Sequence, residues 1–128
     1  MNLINFGTAG ALNPKLSGLL KVTQFFQRDM DARDMGFALG QTPFEKAPNF
    51  SAQGHGLSCG TGDSFVTERD EWLVENCDVV DMEGYSVVKS ATEYNVPWRS
   101  FKYVTDFTSK TGFEDWQANV ANGQRDFL

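Results

Sequence analysis

This 128-residue sequence has little histidine, little cysteine and a shortage of basic residues, and each scarcity removes a class of function. Its two cysteines, Cys59 and Cys77, and its one histidine, His55, do not fall at zinc-ligand spacings, so neither a metal nor another cofactor is expected. Two isolated thiols read most simply as buried residues in a reducing compartment. Eleven Lys and Arg against seventeen Asp and Glu leave a formal net charge of −6, and an acidic surface works against binding a phosphate backbone. Nucleic acid is therefore not an expected partner. No run approaches the roughly 20 apolar residues of a membrane span. The start, Met1-Asn2-Leu3-Ile4-Asn5-Phe6, lacks the basic region and long apolar core of a signal peptide. These absences point to a cytoplasmic protein with no membrane partner.

What is present argues for a packed core. Apolar residues make up 41% of the chain and eleven are Phe, well outside the composition of disordered proteins. The length fits one domain over residues 1–128. Residues 3–6 form a short apolar run ended by Gly7 and read as a buried strand, with Gly7-Thr8-Ala9-Gly10 as a tight turn that lets a ligand approach the backbone. Residues 19–26 are rich in β-formers and read as a second strand. Residues 27–53 carry Gly36, Gly40, Pro43 and Pro48 with little periodicity, so a long excursion with a functional or interface role is expected.

Residues 57–61 read as a third strand. Thr67-Glu68-Arg69-Asp70 has the form of a capping box opening a short helix through Glu75. Val79-Val80 reads as a buried strand ending at Asp81. Val87, Val88, Ala91 and Tyr94 fall near helical spacing, predicting a helix over 83–94 that Asn95 and Pro97 stop. A strand over 98–104 and an amphipathic helix over 113–127, with Trp116, Val120 and Phe127, complete the pattern. Strands alternating with helices predict an α/β domain.

Ligands of open α/β sheets bind beyond the carboxyl ends of strands, where loops gather. Residues 7–10, residues 62–66, Asp81-Met82-Glu83 and Thr105-Asp106 all fall at such ends, the sequence case for one composite pocket. The same residues have simpler readings. A glycine turn can be only a turn, and Glu83 or Asp106 can cap the segment that follows it. His55, beside two glycines, reads as a surface residue rather than a base. Lys102 and Arg99 read by default as solvated or paired.

Five ordered stretches resemble the purine nucleoside phosphorylase superfamily. They are Asn5-Phe6-Gly7-Thr8-Ala9-Gly10-Ala11-Leu12; Arg28-Asp29-Met30-Asp31 with Gly36 and Gly40-Gln41-Thr42-Pro43; Thr61-Gly62-Asp63-Ser64-Phe65-Val66; Asp81-Met82-Glu83-Gly84; and Val104-Thr105-Asp106. Their wording is most similar to the 5′-methylthioadenosine/S-adenosylhomocysteine nucleosidase branch. The resemblance implies a three-layer nucleoside phosphorylase-like fold with a central mixed sheet flanked by helices. It also implies hydrolysis of the N-glycosidic bond of an adenine nucleoside in nucleoside metabolism.

At matching positions, Asp106 would protonate the purine at N7, Phe65 would stack on the base, and the Val66 backbone would bond its edge. Met82 would pack beneath the ribose and Glu83 would accept from its hydroxyls. Thr8, Ala9 and Gly10 would line the approach of water or phosphate. Met35 and Pro43 match positions that close a neighbouring subunit's pocket, implying a homodimer or higher homo-oligomer. Family members begin with further strands, one carrying the Glu that activates water and, in phosphorylases, others carrying phosphate-binding arginines. None of these precedes the Gly-Thr-Ala-Gly strand here, so the chain is expected to match the carboxyl-terminal part of the fold, with an exposed sheet edge. A nucleoside-binding or oligomer-partner protein without catalysis, and a phosphate-dependent phosphorylase, are the competing readings.

Overall fold

A computed structural model describes residues 1–45, 50–51 and 54–127 of the chain, with backbone only at 50, 51 and 127. In chain order the elements are β1 (Leu3–Ala11), β2 (Leu19–Gln27), a 3-10 turn (Arg33–Met35), β3 (Phe50–Ser51), β4 (Leu57–Thr61) and α1 (Glu71–Asn76). They continue with β5 (Val79–Asp81), α2 (Gly84–Glu93), β6 (Trp98–Asp106), α3 (Gly112–Asn119), a second 3-10 turn (Val120–Asn122) and α4 (Gly123–Phe127). The six described strands form one mixed sheet ordered β3-β2-β4-β5-β1-β6, and β2 also pairs with β6, so the sheet curls back on itself. The expected α/β architecture with a mixed sheet is present.

Alternation along the strands explains where the core sits. In β6, Trp98, Ser100, Lys102 and Val104 are buried while Arg99 is exposed, the period of two that a pleated strand imposes. Phe25 and Phe26 are consecutive and must face opposite sides of β2. Phe25 is fully buried with Val22, Cys59, Val79 and Val88, and its ring meets Trp98 edge-on at 5.8 Å. Phe26 packs in a second cluster with Leu73, Cys77, Val80 and Trp72. β2 is therefore covered on both faces. Helix α2 presents Tyr85, Val88 and Ala91 to the main core, at the spacing that makes one stripe of a helix apolar. Both cysteines are free and buried, and burial pushes the Cys59 thiol well up and the Cys77 thiol to about 12.

Several expectations shift. Residues 7–10 do not form a turn. They extend β1, because the parallel partner β6 supplies hydrogen bonds as far as Gly10, with a register shift between Ala9 and Gly10. The cap of α1 is Asp70 rather than Thr67: its carboxylate accepts from the Leu73 backbone N–H at 3.2 Å, so the helix starts at Glu71. The single helix expected over 113–127 is broken by the 3-10 turn at Val120–Asn122 into α3 and α4, so the apolar positions do not make one continuous stripe. The excursion over 27–53 contains a 3-10 turn and β3; Pro48 and residues 46–49 and 52–53 lie outside the described residues. β5 pairs with Gly10 and Ala11, so among the described residues positions 3–9 of β1 pair with β6 alone.

Gly84 opens α2 where a strand end, a helix start and a core ring converge. A Cβ there would lie 2.2 Å from Phe25 Cε1 and 2.4 Å from Asp81 Oδ2, distances no side chain tolerates. Gly84→Ala should destabilise the fold by about 1–3 kcal/mol, the usual cost of overpacking. Urea unfolding tests this: a lowered midpoint at unchanged slope is expected, and an unchanged midpoint would show that the Phe25 ring has room to retreat.

Candidate functional site

Strand register brings the site together. Gly10 of β1 lies opposite Val80 of β5 on one side and opposite Asp106 of β6 on the other. Around this junction is a cavity of about 490 Å³, lined by residues 7–10, Arg28, residues 64–66, residues 80–83, Thr105, Asp106, Phe113 and Trp116. Every residue expected to touch a substrate faces this space: Thr8, Ala9, Gly10, Phe65, Val66, Met82, Glu83 and Asp106. Met35 and Pro43 do not. Met35 is 63% exposed on the 3-10 turn after β2, and Pro43 is half-buried in the loop beyond it.

The three carboxylates of the cavity have different surroundings and different capacities. Asp81, at the end of β5, is buried and fully engaged. Its Oδ1 accepts from the Thr61 hydroxyl at 2.5 Å, and its Oδ2 accepts from the Gly84 backbone N–H at 2.9 Å. Lys102 Nζ stands 2.8 Å from the same Oδ2. The Thr61 hydroxyl oxygen in turn accepts from the Tyr85 N–H at 3.0 Å, so two free donors of the first turn of α2 are satisfied. Asp81 therefore does the capping that Glu83 was one candidate for.

Glu83 occupies the N-cap position of α2 but makes no side-chain cap bond. Its Oε1 instead accepts from Lys102 Nζ at 3.0 Å, and its side chain stays 54% exposed. Lys102 is completely buried. Burial pushes its pKa down, but Asp81 and then Glu83 push it further up, leaving it above the ordinary lysine value. The ammonium is thus charged, and its ion pair orients the Glu83 side chain at the cavity wall. β1 accommodates this because a Cβ on Gly7 would lie 2.9 Å from Lys102 Nζ and 3.1 Å from Glu83 Oε1.

Asp106 is 5% exposed and has no cationic partner among the described residues. Burial raises its pKa, against the lowering effect of the Thr105 hydroxyl (3.0 Å to Oδ1) and the Thr108 backbone N–H, with a further upward push from Asp115. A Cβ on Gly10 would stand 2.7 Å from Asp106 Oδ2, so only glycine lets β1 come this close to the acid. Opposite lies an aromatic wall. Phe65 meets Phe113 edge-on at 5.7 Å, and Phe113 stacks on Trp116 at 6.2 Å. Trp116 Nε1 donates to the Thr8 hydroxyl at 3.0 Å, fastening α3 over β1. One carboxyl inclined to keep its proton, one oriented carboxylate and a flat apolar platform suit an uncharged ligand with a ring at one end and hydroxyls at the other.

Reading the sequence alone missed Lys102, Arg28, Phe113 and Trp116 as parts of the site. Lys102 carried a signal. It shares the inward phase of β6 with Trp98, Ser100 and Val104, and a cation in that phase needs buried carboxylates. His55 and Arg99 are exposed and away from the cavity. Among the described residues no group of three or more His, Cys, Asp or Glu could hold a metal ion, and no helix is long and apolar enough to cross a membrane.

The fold is α/β, with a cavity where strand ends converge. Its kinship is more specific: a family model described as the phosphorylase superfamily matches residues 1–127, and the chain belongs to that family. Its fold is similar to that of a 5′-methylthioadenosine nucleosidase from Helicobacter pylori solved with 5′-methylthioadenosine in its active site. There the TM-score is 0.86 at 23% identity, over 95% of this chain and 62% of that one. An S-adenosylhomocysteine nucleosidase from Streptococcus pyogenes aligns with TM-score 0.83 and 22% identity, over 95% and 62% of the two chains. A futalosine hydrolase of Helicobacter pylori aligns with TM-score 0.85 and 21% identity, over 99% and 69%. The chain thus spans 62% of the length of these nucleosidases and carries part of their fold. No curated protein matches the chain.

The buried acid gives a pH signature. A carboxyl whose pKa is raised on folding adds stability in full below its unfolded value, near 3.8, and that contribution is lost as pH rises through the higher folded value. Asp106→Asn keeps the shape and the acceptor for Thr105 but cannot ionise. Relative to the wild type, the variant should therefore gain stability as pH climbs from about 4 toward 7. Urea midpoints across that range check this, and a difference constant with pH would mean that burial of the charge is not felt.

Proposed function

We propose that the cavity cleaves the N-glycosidic bond of a purine nucleoside by hydrolysis. The observation that carries this reading is the pairing of two carboxyls in one cavity: Asp106, whose pKa burial raises, and Glu83, oriented by its ion pair with Lys102. A departing purine needs a proton on N7 so that it does not leave as an anion, and a general acid with a raised pKa can supply it near neutral pH. Cleavage builds positive charge on the ribose ring, and a carboxylate that accepts from the ribose hydroxyls lies close enough to stabilise that charge. Phe65 would stack on the base and the Val66 backbone would bond its edge. Met82 would pack beneath the sugar, while Thr8, Ala9 and Gly10 would line the path of the attacking water.

The resemblance favours adenine nucleosides of the 5′-methylthioadenosine or S-adenosylhomocysteine type, and two of the structural neighbours bear names of that kind. The same proposal takes residues 1–128 as one domain carrying the carboxyl-terminal part of a three-layer fold. It also takes the protein as a cytoplasmic homo-oligomer with Met35 and Pro43 at the subunit boundary.

Incubation with 5′-methylthioadenosine or S-adenosylhomocysteine, with and without phosphate, and chromatography for free adenine is the direct assay. Phosphate-independent release is expected, with Asp106→Asn lowering kcat by about 10²–10⁴-fold. Release only with phosphate would make the activity phosphorolysis. Ligand-induced thermal stabilisation without turnover would leave a binding module, and full activity of the Asp106 variant would remove the acid from its role.

A further inference from the structure

Along β1 the two carboxyls that serve the proposed reaction have separate stations. The point where a Gly7 Cβ would sit is 3.1 Å from Glu83 Oε1, and the corresponding point at Gly10 is 2.7 Å from Asp106 Oδ2. Thr8 and Ala9 occupy the strand between them, and of these two only Thr8 carries a polar side chain. A nucleoside with its ribose hydroxyls at Glu83 and its base at Asp106 therefore sets the bond to be broken beside Thr8 and Ala9. All of these residues line the one cavity.

The Thr8 hydroxyl is not free to turn. Trp116 Nε1 donates to its oxygen at 3.0 Å, and an indole N–H can only donate, so one lone pair of that oxygen is taken. Threonine is also stiff at χ1, because two heavy atoms branch from its Cβ. Among the described residues nothing accepts the hydroxyl's own proton. An unspent donor, oriented by its neighbour, thus stands where a nucleophile has to approach the sugar. Trp116 is itself well held. Its ring stacks on Phe113 at 6.2 Å with 18° between the planes, and Asn119 of the same helix donates to the Thr105 carbonyl at 3.2 Å. Helix α3 thereby links the strand that carries the acid, the aromatic wall and the Thr8 hydroxyl.

We infer that Trp116 is a positioning residue for the attacking water and acts through the Thr8 hydroxyl. The water accepts from Thr8 with one lone pair and keeps the other for the glycosidic carbon. Its oxygen bonds to that carbon as the bond to the base breaks, and the bonding pair leaves with the base, which takes the Asp106 proton. The proton shed by the water passes to solvent, from which Asp106 takes up its next one. This rests on the hydrolytic reading of the cavity and adds to it the residue that orients the nucleophile.

Steady-state kinetics of the whole chain with 5′-methylthioadenosine, following free adenine, test the inference as a double-mutant cycle. Trp116→Phe keeps an aromatic ring against Phe113 and loses the N–H. It should lower kcat about tenfold, the scale of one oriented hydrogen bond, with KM within about twofold of wild type. Thr8→Val has the same shape without the hydroxyl. It should lower kcat at least as far, and adding Trp116→Phe to it should cost nothing further. Thr8→Ser, which keeps the hydroxyl, should retain most of the wild-type kcat and its sensitivity to Trp116→Phe. Melting temperatures check folding, and Thr8→Ala replaces Thr8→Val in the cycle if the latter does not fold. A merely structural Trp116 would slow turnover equally with and without Thr8→Val, which overturns the inference. A raised KM at unchanged kcat in Thr8→Val also overturns it, because the hydroxyl is then spent on binding the ribose. Unchanged kinetics in Trp116→Phe overturn it while leaving the hydrolytic reading intact. No phosphate-independent adenine release by the folded wild type removes the hydrolytic reading and this inference with it.

Discussion

A single buried ammonium organises this site. Lys102 Nζ lies 2.8 Å from Asp81 and 3.0 Å from Glu83 with no solvent exposure of the lysine at all. Removing either charge class from such a cluster would leave an uncompensated ion in a region of low polarity, so its members constrain one another strongly. Asp81 spends its oxygens on Lys102, Thr61 and the start of α2, and thereby fixes the angle at which the helix leaves the sheet. Glu83 sits two residues on and is aimed at the cavity by the same ammonium. The cluster couples the folding of β5, β6 and α2 to the placement of the one carboxylate that remains half in solvent.

The second carboxylate is governed by the opposite arrangement. Asp106 is buried with no cationic partner among the described residues, beside a strand that approaches it closely only because Gly10 has no side chain. The two acids thus meet opposite surroundings: Glu83 lies against an ammonium and half in solvent, whereas burial raises the pKa of Asp106. The aromatic wall of Phe65, Phe113 and Trp116, tied to β1 through Thr8, supplies a flat, apolar surface beside them.

Local physics made much of the fold legible. β-forming residues identified β2, the near-helical spacing of Val87, Val88, Ala91 and Tyr94 identified α2, and Asn95 with Pro97 marked its end. Errors came where a neighbour's hydrogen bonds outvote local chemistry. Residues 7–10 look like a turn because small residues and glycine weaken strand propensity, yet β6 offers them a parallel ladder. Thr67 and Asp70 both satisfy the short-range rule for a cap, and the competition went to Asp70. The candidate site divides in the same way. Residues in short dense motifs could be named in advance, although Arg28, inside one of them, was given no role, whereas Phe113 and Trp116 reach the cavity from a segment outside those motifs.

The sequence by itself determined an acidic α/β chain with kinship to the phosphorylase superfamily, and it singled out Glu83 and Asp106. These follow from composition, periodicity and short motifs, all of which act through neighbours in the chain. Only the tertiary structure decided that Lys102 is buried and paired with two carboxylates, that Asp81 rather than Glu83 caps α2, and that Arg28 reaches the cavity wall fastened to Ser64. Each of those outcomes involves groups far apart in the chain, from the Thr61–Asp81 bond to the contact between Arg28 and Ser64. Ionisation and hydrogen-bond satisfaction are properties of such assembled neighbourhoods, and they exist only once the sheet has closed.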